Sequence, residues 1–366
     1  MSQKSQNNLS MFTPQKTIGI LGSGQLGRML VIAASQLGLR THVYAPDASC
    51  SPAGDIAHER TQANYDDQKS LSLFASNIDA VTSEFENVPA STMAFLSQHC
   101  LVSPGQAALH TAQHRIREKE LAQKLGIKTP AFWHIANVAD LHAAMTELNG
   151  NGILKTCQLG YDGKGQVKIS SGDDLDVIFK SLQTNDAILE EMVPFCAEAS
   201  FLVARSTDGT VSLFPPSLNY HNNGILARSI APADLSDTLL NSGQTAVRDL
   251  ANALDVVGLL ALETFVTDDN QLLFNEIAPR PHNSFHWTIE GCACSQFTQL
   301  IRAVAGMPLG STHCYGKWQM DNLLGEDMSR LGELSNAPEV HLHLYGKTEV
   351  KIGRKMGHTN RQISLK

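Results

Sequence analysis

LLALETFVTDDNQLLFNEIAPRPHNS, residues 259–284, carries more structural information than any other stretch of the chain. Two β-rich apolar runs flank Asp268-Asp269-Asn270, the pattern of an antiparallel hairpin. With Asp269 and Asn270 as a two-residue turn, Glu263 and Glu276 become direct cross-strand neighbours on one face, about 4.5–5.5 Å apart at Cβ. Like charges so placed repel unless a cation lies between them. Carboxylate oxygens from two strands suit Mg²⁺, which commonly bridges protein carboxylates and substrate phosphates. Two surface glutamates on an edge hairpin are the alternative, but the flanking LLAL and LLF favour burial. Just beyond, RPHNSFHW (280–287) packs Arg280, His282, Asn283, Ser284 and His286 into seven residues. Polar groups this dense after a buried strand read as an anion-binding loop, with an ordinary solvated loop as the alternative.

Upstream, the first hundred residues alternate strand-like runs with helical patterns: TIGIL, RMLVIAASQLG, THVYAP, DQKSLSLFA, IDAVTSEFE. That βαβ rhythm implies a parallel sheet. The polar stretch TAQHRIREKELAQKLG closes it as a helix. A second α/β region follows, with strands expected at NGILK (151–155), VKIS, AILEEMV (187–193) and along 199–214. A helix around 243–257 precedes the hairpin. In the tail, VHLHLY and TEVKI read as short strands.

ILGSGQLGRML (20–30) carries Gly22, Gly24 and Gly27 in the spacing of the dinucleotide-binding fingerprint, and Asp47 stands where a ribose ligand would. A helix N-terminus here favours anions. NAD, another phosphorylated ligand and plain turn geometry all fit this segment alone. Gln25 and Arg28 add polar reach, which suits a ligand smaller than a dinucleotide. The second glycine loop, GYDGKGQ (160–166), lies between two strands, with Lys155 ending the first. Its N–H groups can face phosphate oxygens, and Lys155 supplies a point charge. A plain hairpin turn is the alternative; the P-loop spacing is absent.

Composition narrows the function classes. The net charge of −8 disfavours a non-specific nucleic-acid binder. No apolar run reaches the roughly 18 residues of a membrane span, and the polar start MSQKSQNNLSMFTPQK lacks a signal peptide's apolar core. The 7 cysteines are scattered with no C-x-x-C, so reduced thiols of a cytoplasmic protein are expected and the spacing predicts no zinc site.

Taken in order, Lys155, GYDGKGQ, Glu190-Glu191-Met192-Val193, Glu263, Asn275-Glu276 and APRPHNSFHWT resemble the ATP-grasp enzymes. Within them the chain is similar to the N5-carboxyaminoimidazole ribonucleotide synthases of purine biosynthesis, on GSGQLGRM, GYDGKGQ, NEIAPRPHNSFHWT and the terminal GRKMGH. The resemblance runs from about residue 17 to residue 360. It implies an α/β chain, α+β towards its C-terminus: a loose extension (1–16), a Rossmann-like parallel-sheet domain (17–112), an ATP-grasp domain (113–305) with a mobile lid at about 150–207, and a small β-rich domain (306–366). It implies use of ATP, Mg²⁺ and bicarbonate to carboxylate 5-aminoimidazole ribonucleotide, in a homodimer.

Carried over by position, Arg115, Lys155, Gly160, Tyr161, Asp162, Gly163, Lys164, Gly165, Gln166, Glu190, Glu191, Met192, Val193, Glu198, His221, Asn275 and Glu276 would line the ATP site. Glu263 and Glu276 would hold Mg²⁺. Gln25, Leu26, Glu84, Tyr161, Asp162, Lys347 and Arg354 would contact the ribonucleotide, with its phosphate end at the first glycine loop in place of NAD. Arg280, His282, Asn283 and Lys355 would lie near the bicarbonate-derived group, and Asp162 would orient the amine or accept its proton. The chain departs from the family in having Thr156-Cys157-Gln158 where basic residues are common, and Lys164 where arginine also occurs. It also stops at Lys366, earlier than many relatives. A formate-dependent transformylase of the same superfamily and an NAD-dependent oxidoreductase are the competing readings.

Overall fold

The computed structural model describes residues 16–148, 150–160 and 165–363. The N-terminal strands form a parallel five-stranded sheet, β1 (Thr17–Leu21), β2 (Arg40–Ala45), β3 (Glu59–Gln62), β4 (Ala80–Ser83) and β5 (Leu101–Ser103), in the order β3-β2-β1-β4-β5. Ile18, Ile20, Leu21, Val43 and Val81 are all buried, as parallel strands covered on both faces require. β1 runs into Gly22 at φ +98, where an added Cβ would meet the Glu84 and Phe85 side chains. Glycine is needed there both for the left-handed backbone and for that close approach. The helix Gln25–Gln36 follows at once.

A four-stranded antiparallel sheet comes next: β6 (Phe132–Ile135), β7 (Gly152–Thr156), β8 (Gln166–Ile169) and β9 (Ala187–Glu191), in the order β6-β9-β7-β8. Two helices, Val138–Leu148 and Leu175–Ser181, cover it through a separate core of Ile135, Leu141, Leu154, Phe179 and Leu189. This unit runs from 132 to 191, so it overlaps the expected lid (about 150–207) but starts earlier, and 197–205 belongs to the next sheet.

The remaining strands make one antiparallel sheet. They are β10 (Ala197–Arg205), β11 (Val211–Leu213), β12 (Ser217–Asn222), β13 (Ile225–Ala231), β14 (Gly258–Val266), β15 (Leu272–Ala278), β16 (Lys317–Leu324), β17 (His341–Leu344) and β18 (Lys355–Ile363). Their order is β15-β14-β10-β12-β13-β16-β18-β17, with β11 added to β10. The C-terminal strands therefore extend the sheet of the preceding domain, joined where Arg228 on β13 pairs with Asp321 on β16, Nε to Oδ1 2.6 Å. TEVKI is not a strand. Val350 and Ile352 there are 56% and 90% exposed, and no neighbouring strand offers those residues a ladder.

The hairpin differs from expectation in two ways that cancel. Val266 faces Leu272, and Thr267 N–H donates to Gln271 O (3.0 Å). The turn is thus the three residues Asp268-Asp269-Asn270, closed by Asn270 in the left-handed region at φ +60, one residue longer than expected. A continuous ladder from that turn would set Glu263 against Asn275. A β-bulge follows Thr264↔Phe274, Asn275 is left as the extra residue, and Glu263 faces Glu276 after all.

Candidate active site

A cavity of about 520 Å³ opens between the small sheet, the β14–β15 hairpin and the loop that follows it. It gathers Arg115, Lys155, Gly160, Gln166, Glu190, Glu191, Met192, Val193, Glu198, His221, Glu263, Asn275, Glu276, Arg280, His282, Asn283 and Lys355. Gly165 lies beside it in sequence but not on its wall. Tyr161, Asp162, Gly163 and Lys164 lie outside the described residues. The bulge explains how consecutive Asn275 and Glu276 both border the cavity, whereas side chains of a regular strand alternate between faces.

Each facing glutamate already has a protein partner. His282 Nε2 stands 2.7 Å from Glu263 Oε1, and Arg115 Nη1 stands 3.0 Å from Glu276 Oε2. The expected repulsion is thus met by Arg115 and His282, so the pairing by itself does not require a metal. Burial pushes the Glu263 carboxyl up, but His282 outweighs it and holds the group below its ordinary range. The donors that converge are those of Glu198, His221 and Glu263, all within 4.8 Å of one another. Glu276 is not among them.

The loop after the hairpin is held by buried polar partners. His282 N–H donates to Gln296 Oε1 (2.8 Å), Gln296 Nε2 donates to His282 O (2.9 Å), and His282 Nδ1 lies 2.7 Å from Ser284 Oγ. Arg280 forms a two-pronged ion pair with Glu86, through Nε to Oε2 and Nη2 to Oε1. Both polar atoms of the Asn283 amide are buried with no protein partner among the described residues. A native structure rarely tolerates that unless a water or a ligand completes the bonds.

Beyond Arg115, Lys155 and Glu190, the floor of the cavity was not legible in the sequence. Helix Arg115–Lys124 turns Arg115, Glu118 and Lys119 inward, with Glu118 2% and Lys119 0% exposed. Lys119 Nζ stands 3.4 Å from Glu190 Oε1 and donates to Asn275 O (3.0 Å), while Lys155 Nζ sits 2.8 Å from Glu190 Oε2. Burial works against the Glu190 carboxylate, yet the two lysines hold its pKa down at about 2. The i, i+3, i+4 spacing of R-x-x-E-K was the available signal. Glu86, Glu118, Lys168 and a stacked pair, Phe195 and Phe265 (ring centroids 4.8 Å apart), also border the cavity.

The remaining expected residues sit at the first glycine loop. Glu84 accepts N–H bonds from Gly24 and from Gly27 (2.6 Å), so a protein carboxylate takes the anion-binding end of that helix. Glu84 therefore occupies two of the N–H groups of the loop at which the phosphate end of the substrate is expected. Burial raises the Glu84 pKa, and Lys347 opposes the rise. The tail does reach this loop, because Gly346 packs against the Arg28 guanidinium. Lys347 donates to Lys355 O (2.7 Å), and Arg354 Nη1 donates to Glu349 O (3.0 Å). Burial, and then Arg354, lower the Lys347 pKa to about 8. Gln25 and Leu26 form the first turn of the same helix.

Comparison with known proteins bears on all three regions. Residues 15–113 match the ribonucleotide synthetase preATP-grasp domain, 120–297 the ATP-grasp domain, and 319–362 the phosphoribosylaminoimidazole carboxylase C-terminal domain. The N5-carboxyaminoimidazole ribonucleotide synthase of Brucella melitensis biotype 1 is 45% identical over 350 residues, 95% of this chain and 96% of that protein. The Staphylococcus aureus N5-carboxyaminoimidazole synthetase complexed with ADP superposes with a TM-score of 0.91 at 37% identity, covering 96% of this chain and 94% of its own. The Aspergillus clavatus synthase in complex with ADP and 5-aminoimidazole ribonucleotide gives a TM-score of 0.89 at 28% identity, over 96% and 94%. Among the described residues no helix is long and apolar enough to cross a membrane. With this identity over nearly its whole length, the chain belongs to the N5-carboxyaminoimidazole ribonucleotide synthases, ATP-grasp ligases of purine biosynthesis.

Proposed function

We propose that this chain carboxylates the exocyclic amine of 5-aminoimidazole ribonucleotide with bicarbonate, converting ATP to ADP and phosphate. The observation that carries this reading is the Asn283 amide, buried, unpartnered and on the wall of a cavity that also holds Lys155, Arg280 and Lys355. A small polar anion would satisfy that amide and match those cations.

Bicarbonate is a weak electrophile. Attack of its oxygen on the γ-phosphorus of ATP releases ADP and leaves carboxyphosphate, a mixed anhydride. The amine then attacks the carboxyl carbon, phosphate departs, and the nitrogen loses a proton. The protein's part is positioning and charge neutralisation. Lys155 and Arg115 face the triphosphate, with Glu190 keeping Lys155 in place. Gly160, Gln166 and Glu190 to Val193 frame the nucleotide from the small sheet, Gly165 shapes the turn beside them, and Asn275 borders the site from the bulge. Arg280, oriented by Glu86, and Asn283 hold the bicarbonate-derived group, with His282 and Lys355 beside it. Asp162 positions the amine, while Gln25, Leu26, Glu84, Tyr161, Lys347 and Arg354 receive the ribonucleotide.

On the family resemblance Glu263 and Glu276, which face each other across the hairpin, would hold Mg²⁺, with Glu198 and His221 converging on Glu263 beside them. Bound there, Mg²⁺ supplies neutralisation of the triphosphate charge. We also propose a cytoplasmic homodimer, on the family resemblance; a single-chain mass by light scattering would overturn the dimer.

The test is phosphate release with ATP and Mg²⁺, adding bicarbonate and the ribonucleotide singly and together. Full turnover is expected only with both. Equal turnover with formate in place of bicarbonate would move the chain to the transformylase reading.

A further inference from the structure

A second cluster of donors lies where the small sheet meets the helix Arg115–Lys124. His114 precedes that helix, Cys157 follows β7, and Asp186 leads into β9. His114 Nε2 is 3.1 Å from Asp186 Oδ2, and the Cys157 thiol lies beside both. The imidazole nitrogen, the sulfur and the carboxylate oxygen all lie within 4.8 Å of one another. Backbone contacts fix the three segments together: Cys157 N–H donates to Asp186 O and Arg115 N–H to Cys157 O, each at 3.0 Å. Cys157 is buried, and the half-exposed Asp186 opens a path to solvent.

The outer groups are those of a metal site's second layer. His134 Nε2 stands 3.0 Å from Asp186 Oδ1, and Gln158 Nε2 donates to Oδ2 (3.3 Å), so the carboxylate is oriented from two sides. Sulfur, imidazole and carboxylate together select a borderline-soft ion of the zinc class over Mg²⁺ or Ca²⁺. Tetrahedral ligands at about 2.0–2.3 Å from zinc stand roughly 3.3–3.7 Å from one another. The three donors lie within 4.8 Å of one another, so closing on one ion asks their side chains to move together by an ångström or so at most.

We propose that His114, Cys157 and Asp186 form a three-donor binding site for a zinc-class divalent cation, its fourth position open to water. Binding exchanges the S–H bond for an S–metal bond, and the proton leaves to solvent without any change in oxidation state. The cysteine is one of the residues by which this chain departs from its family's basic pattern after Lys155. The ion would tie the small sheet to the helix, with Lys155 two residues from Cys157 and Arg115 next to His114.

Cobalt(II) is the probe, because its thiolate complexes show an intense near-ultraviolet charge-transfer band. Titration of the full, chelator-treated chain is expected to give that band, saturating at one equivalent and bleached by Zn²⁺. Cys157→Ser is expected to abolish the band, and His114→Ala to weaken cobalt binding at least about tenfold. A Cys292→Ser, Cys314→Ser double variant should keep the band, because those two free thiols, on backbones joined by a β-bridge, are the competing source. Zn²⁺ should raise the melting temperature of the wild type and of the double variant, and leave Cys157→Ser unmoved. The proposal is overturned by absence of the band in the wild type, by its persistence in Cys157→Ser, or by its loss only in the double variant. Equal cobalt affinity of His114→Ala and wild type also overturns it.

Discussion

Lys119 and Glu190 form an ion pair with almost no exposed surface, and the same carboxylate holds Lys155. One glutamate from β9 thus neutralises a structural lysine beneath the cavity and a lysine on its wall. Its position accounts for why a helix with a charged inner face can be buried at all.

Removing that carboxylate should be costly. Glu190→Ala leaves two lysines without their counter-charge, and loss of one member of a buried pair typically costs about 3–5 kcal/mol. Urea unfolding measures it. A loss under about 1 kcal/mol would mean that water reaches the lysines freely.

The same pair sets an acid limit on stability. The Glu190 pKa is about 2 in the folded chain against an ordinary 4.5. The folded state therefore binds fewer protons here than the unfolded one, and this contribution is complete above about pH 4.5 and is lost as pH falls towards 2. The stability gap between wild type and Glu190→Gln should hold steady above about pH 4.5 and narrow from there towards about pH 2. A gap that widens on acidification contradicts the assignment.

Glu276→Ala should abolish turnover while leaving the fold intact. It relieves repulsion with Glu263 but strands Arg115, and with Glu276 two-fifths exposed the net cost should stay near 1 kcal/mol. Activity measured across a Mg²⁺ series checks the role; unchanged activity at limiting Mg²⁺ removes Glu276 from the metal and ATP set.

Gly165→Val should harm coupling more than folding. Gly165 has φ +72, and a Cβ there would come 2.9 Å from Thr156 Oγ1, on the strand that carries Lys155. The misplaced lid edge should admit water and raise the ratio of phosphate released to carboxylated product. An unaltered ratio argues against a role for this segment in sealing the site.

Arg354→Ala should raise the Michaelis constant for the ribonucleotide steeply and that for ATP little. Arg354 acts on Lys347, which in turn lies near Glu84 at the first glycine loop. If both constants rise together, or neither does, Arg354 does not serve the ribonucleotide.

Much of this molecule is local and could be read locally. The parallel sheet shows as alternating strand and helix periods, and the hairpin as two β-rich runs about Asp268-Asp269-Asn270. Lys155, Glu263, Asn275, Glu276 and the Arg280–Asn283 loop stand out because polar residues adjoin strands whose other positions are apolar. The Glu263–Glu276 pairing was also legible, though for an incomplete reason: register depends on turn length and on bulges, and a bulge leaves no mark in side-chain alternation until its partner strand is in place. Tertiary structure alone decided the rest. Lys119 finds Glu190, Arg280 finds Glu86 and Gly24 finds Glu84 across long separations in sequence. Which amide, carboxylate or guanidinium meets which is set by sheet order and helix packing, and a charge can be buried only where that packing supplies its partner.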